Sequence, residues 1–80
     1  MSASERALRV HAIVATLFSA RQESVTDATS PADLEKWDSM GHLSLVLELE
    51  QEFGVALAPE CVERMRDVGS VVRELEGALG

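Results

Sequence analysis

The sequence predicts an all-α protein: a small four-helix bundle of three longer helices and one short one, with a long loop between helices 1 and 2. Three observations predict it. Apolar residues recur at helical spacing in three separate segments. No segment alternates apolar and polar residues with the period of two that a half-buried strand needs. The chain has 80 residues, which suits one domain over 1–80 with a modest core.

The first helix is expected over about 4–19. Val10, Ile13, Val14, Leu17 and Phe18 share one face, Arg6, Arg9 and Thr16 fall elsewhere, and Ser2 or Ser4 caps the start. Residues 20–38 form a long connection rich in Ser, Thr, Asp and Ala. Pro31 disfavours helix at Ser30, and Ser30–Asp33 suits a short turn. A loop of this length in a compact domain is often functional. It needs anchors, and of its apolar residues Val25, Leu34 and Trp37, at least Leu34 and Trp37 are expected to pack down.

The second helix is expected over 39–53, with Gly54 as its stop, because glycine accepts the left-handed conformation past a helix end. On a helical wheel of about 100° per residue, His42, Leu43, Leu45, Val46, Leu49 and Phe53 gather on one side as core. Met40, Ser44, Leu47, Glu48 and Gln51 gather on the other and face out. Two large apolar residues on that outer face hint at a docking surface. A short third helix over about 59–65 opens on Pro59, with Val62 and Met65 inward. The last helix, 68–79, is capped by Asp67 and turns Val68, Val71, Val72, Leu75 and Leu79 inward. Gly69 weakens it slightly and permits close packing.

Composition narrows the function classes. Apolar residues make up 46% and charged residues 26% of the chain, which excludes a disordered chain. No apolar run approaches the roughly 20 residues that span a bilayer. The polar start, Met1 to Arg6, reads as no secretory signal. The single cysteine, Cys61, cannot form an internal disulfide, so a reducing cytoplasm is expected. The net charge is −7, and residues 39–60 hold four acids (Glu48, Glu50, Glu52, Glu60) and no Lys or Arg. Nucleic acid and anionic membranes are poor partners for such a chain; basic protein surfaces are good ones. A monomer is expected.

Catalytic chemistry is also narrowed. His11, His42 and Cys61 are dispersed, with no ligand-spaced pair for a metal. Asp27 and Asp33 lack the glycine and terminal glutamate of a calcium loop. Asp38, Ser39 and His42 invite a triad reading, but adjacent residues diverge on a helix, and one exposed turn offers no oxyanion hole. Ser39 itself has two readings: a helix cap, for which serine is favoured, or an exposed hydroxyl on which a group is hung.

The run Leu34-Glu35-Lys36-Trp37-Asp38-Ser39-Met40, followed by Leu43-Ser44-Leu45-Val46-Leu47-Glu48-Leu49-Glu50-Gln51-Glu52-Phe53-Gly54-Val55, resembles the acyl carrier proteins and the similar peptidyl carrier proteins. Val10, Ile13, Val14 and Phe18 fit that family's first helix, and Val62, Met65, Val68, Val72 and Leu75 fit its third and fourth. The resemblance implies that a phosphopantetheinyl transferase attaches 4′-phosphopantetheine from coenzyme A to Ser39. Acyl or aminoacyl groups would then travel as thioesters between a loading enzyme and a synthase or transferase with a basic docking surface, and the carrier itself catalyses nothing. It implies docking through Met40, Ser44, Leu47, Glu48 and Gln51, and partial insertion of small acyl chains against Val46 and Leu49.

Fatty-acid carriers often place acids two and five residues after the modified serine; here those positions are Gly41 and Ser44, with Gln51 at a further recognition position. Trp37 to Leu43 looks more like the free-standing carriers of specialised pathways (polyketide, nonribosomal peptide or related secondary metabolism). A fatty-acid synthesis carrier is the alternative within the family. An acidic interaction module in which Ser39 is only a cap is the alternative outside it.

Overall fold

A computed structural model describes all residues, 1–80. The element order is α1 (Ala3–Leu17), a 3-10 turn (Gln22–Ser24), α2 (Ser39–Phe53), α3 (Pro59–Glu63) and α4 (Val68–Leu79). There is no strand. α1 packs on both α2 and α4.

Each helix end has a local cause. Ser2 caps α1 through a reciprocal capping box with Glu5. α1 stops at Leu17, short of the sequence expectation, because Ser19 takes a left-handed conformation (φ 57°) and the Ala20 N–H turns back to the Ala15 carbonyl at 2.8 Å. Gly54, also left-handed at φ 64°, ends α2. α3 is shorter than expected: after Glu63 the chain tightens, with Arg64 N–H to Cys61 O at 3.1 Å and Met65 N–H to Val62 O at 3.2 Å. Asp67 caps α4 by accepting the Ser70 N–H at 2.7 Å.

The core forms where the helix stripes meet. Val10 and Val14 of α1, Leu45 and Leu49 of α2, and Val68, Val71 and Leu75 of α4 are fully enclosed. Burying side chains of this size contributes about 1.5–3 kcal/mol each. Three ion pairs tie the helices from outside: Arg6–Glu76, Arg9–Glu52 and Arg64–Glu74.

The long connection is anchored more deeply than its composition suggests. Val25, Thr29 and Trp37 are buried and Leu34 is half-buried. The Thr29 carbonyl accepts the Val68 N–H and the Asp27 carbonyl accepts the Gly69 N–H, both at 2.9 Å. The loop thus satisfies two donors that open α4 and would otherwise lack partners. A Cβ on Gly69 would lie 3.2 Å from the Asp27 carbonyl oxygen, so the glycine permits this approach.

Candidate functional site

α2 begins where the loop is clamped. Trp37 is buried and stacks on Phe18, with ring centroids 5.5 Å apart. The next residue, Asp38, is the N-cap: its Oδ1 accepts the Gly41 N–H at 2.8 Å. Gly41 fits because it lacks a side chain. A Cβ there would meet the Lys36 carbonyl oxygen at 2.2 Å and Phe18 at 2.9 Å.

Ser39 is therefore not the cap. It is the first helical residue, exposed, and its hydroxyl makes no hydrogen bond. The backbone N–H groups of Ser39 and Met40 also have no partner in the fold. Free donors and the positive end of the helix dipole make this turn favourable for an anion.

The neighbouring polar groups are engaged elsewhere. His42 Nδ1 accepts the Trp37 Nε1–H at 3.0 Å, and its Nε2–H donates to the Val62 carbonyl at 3.2 Å. The ring protonated on Nε2 satisfies both bonds. Asp38 is occupied by Gly41. The site thus holds a reachable hydroxyl beside a histidine whose two ring nitrogens are both engaged. No three His, Cys, Asp or Glu side chains converge as a metal site anywhere in the fold.

Beside Ser39 lies a groove of about 760 Å³, open to solvent, between the loop end, the start of α2 and α3. Trp37, His42, Leu43, Val62, Glu63 and Arg66 are among the residues that line it. Glu63 and Arg66 were not candidates in the sequence, because only the packing of α3 and the turn after it against the start of α2 places them on the groove beside Ser39.

The outer face of α2 is broader than its wheel assignment. Met40, Leu43 and Leu47 are 74%, 58% and 60% exposed, and Ser44, Glu48 and Gln51 are exposed beside them. Leu79, expected inward on α4, is 38% exposed in the last turn of that helix, and Leu43 is the second correction: expected in the core, it stands outside. It lies only about 60° from Met40 on the wheel, and neither the loop nor α3 covers it. The charge on this helix is also redistributed. Glu50 accepts the Leu57 N–H at 2.8 Å and Glu52 pairs with Arg9, which leaves Glu48 as the one unengaged acid of α2.

No family model matches the chain. It is 36% identical to the acyl carrier protein of Thermosynechococcus vestitus over 72 residues, covering 90% of this chain and 89% of that protein. It is 32% identical to the acyl carrier protein of Phenylobacterium zucineum over 72 residues, covering 90% and 91%. Its fold matches the solution NMR structure of a holo acyl carrier protein from Geobacter metallireducens with a TM-score of 0.78 at 24% identity, over 89% of this chain and 82% of that one. With sequence kinship across nearly its full length and the same helical architecture, the chain belongs to the acyl carrier protein family.

Proposed function

We propose that Ser39 bears the 4′-phosphopantetheine arm and that the protein shuttles acyl or aminoacyl groups between enzymes of a specialised biosynthetic pathway. One observation carries the assignment: Asp38 takes over the capping role, so the Ser39 hydroxyl is exposed and unbonded at a helix start. The residues fit the group. Ser39 Oγ supplies the ester oxygen, and the free N–H groups of Ser39 and Met40 face an anion-favouring helix end. When attached, the arm supplies a terminal thiol on which acyl groups are held as thioesters.

The exposed face Met40–Leu43–Leu47, with Ser44, Glu48 and Gln51, is the docking surface for the transferase that loads the arm and for the enzymes that use it. Its scarcity of free acids, with Gly41 and Ser44 where fatty-acid carriers often hold carboxylates, supports the specialised pathway. The test is intact mass after incubation with coenzyme A and a promiscuous phosphopantetheinyl transferase. The expected result is one added phosphopantetheine, lost in Ser39→Ala. No addition, or addition that survives the substitution, rejects the assignment.

A further inference from the structure

We infer that His42 bars the passage between α2 and α3, so that the cargo stays in the outer groove and the carrier suits short acyl groups rather than long alkyl chains. This rests on the assignment of the arm to Ser39. The groove beside Ser39 meets the body of the bundle at Trp37, His42 and Met65, of which Trp37 and Met65 belong to the buried core. The His42 ring spans from the loop to α3, held at one nitrogen by Trp37 and at the other by the Val62 carbonyl. The His42 and Trp37 rings lie nearly coplanar, 17° apart, and Trp37 itself stacks on Phe18. The bar is thus fixed at both ends.

Behind it, Leu45, Leu49, Val71 and Leu75 are fully enclosed, and no cavity of the molecule is lined by them. An alkyl chain entering there must unseat His42, leave the Trp37 N–H and the Val62 carbonyl without partners, and part a close-packed core. The groove offers the other resting place, against Leu43 and Val62, with Asp38, Glu63 and Arg66 around it. It is open to water, so a long chain laid in it keeps much of its apolar surface wet. A short acyl group incurs neither penalty.

The test loads wild type and His42→Ala with acetyl- and octanoyl-pantetheine, using the acyl-coenzyme A forms and a promiscuous transferase. Intact mass reports loading, so failure to load counts against the Ser39 assignment rather than against the bar. For loaded protein, the readout is the melting temperature. In wild type, the octanoyl and acetyl forms should melt together. In His42→Ala, the octanoyl form should melt above its acetyl form by about 4 °C or more, as expected when a chain becomes buried in a domain of this size. Octanoyl stabilisation of wild type, or none in the variant, overturns the inference. If the variant does not fold, proton NMR of octanoyl-loaded wild type decides. Octanoyl contacts confined to Leu43 and Val62 support the bar, and contacts with the Leu49 or Leu75 methyls refute it.

Discussion

Asp38 and Ser39 divide two roles that a sequence can assign to either. Both are good caps, and the Asp-Ser pair alone does not say which one accepts the helix donor. The geometry separates them, since Asp38 binds the Gly41 N–H and the Ser39 hydroxyl binds nothing. Ser39→Ala should therefore change stability by no more than about 0.5 kcal/mol, whereas Asp38→Ala should lose about 1 kcal/mol. Urea unfolding of the two variants checks this, and the reverse order would return Ser39 to the role of a cap. Gly41 was legible only as a missing acid. Its physical reason is the Lys36 carbonyl, which no local pattern reveals because the contact depends on how the loop end closes onto the helix. Gly41→Ala should cost about 1–3 kcal/mol through overpacking, measured by chemical denaturation.

At the scale of elements, the amphipathic stripes were readable because each buried face follows from spacing within one helix. α2 shows where that reading ends. Leu43 lies near the boundary of the wheel, and its fate depends on how much of the helix start its neighbours cover. The acids Glu50 and Glu52 looked like a free negative face, but their partners, the Leu57 N–H and Arg9, come from other parts of the chain. The exposed stripe is consequently more apolar than the composition implied. Leu47→Glu and Met40→Glu should slow transfer to partner enzymes while leaving the far-ultraviolet circular dichroism unchanged. If both variants load and turn over normally, docking occurs elsewhere.

At the scale of the whole molecule, acid should destabilise the fold. Glu76 and Glu74 are held below the usual carboxylate range, chiefly by hydrogen bonds from Arg6 and Arg64, and Glu5 and Asp67 chiefly by the backbone N–H groups of Ser2 and Ser70. Lowered values in the folded state mean that unfolding takes up protons. The stability these groups lend is complete above their ordinary range, about pH 4, and is lost as the pH falls through the lowered values. Melting temperature should hold from neutral pH to about pH 5 and decline below pH 4. The part due to the two arginine pairs should shrink in high salt, because both pairs remain partly open to solvent. A flat acid profile would show that these contacts do not favour the folded state.

The long connection between α1 and α2 was the least legible part of the chain. Its composition is that of spare, solvated linker, yet two of its carbonyls complete the opening turn of a helix some forty residues onward. A stretch expected to be held by its apolar side chains therefore also works as a strut through its backbone. Its middle should be the place where extra length is least welcome, since any slack there would unmoor the far end of the bundle.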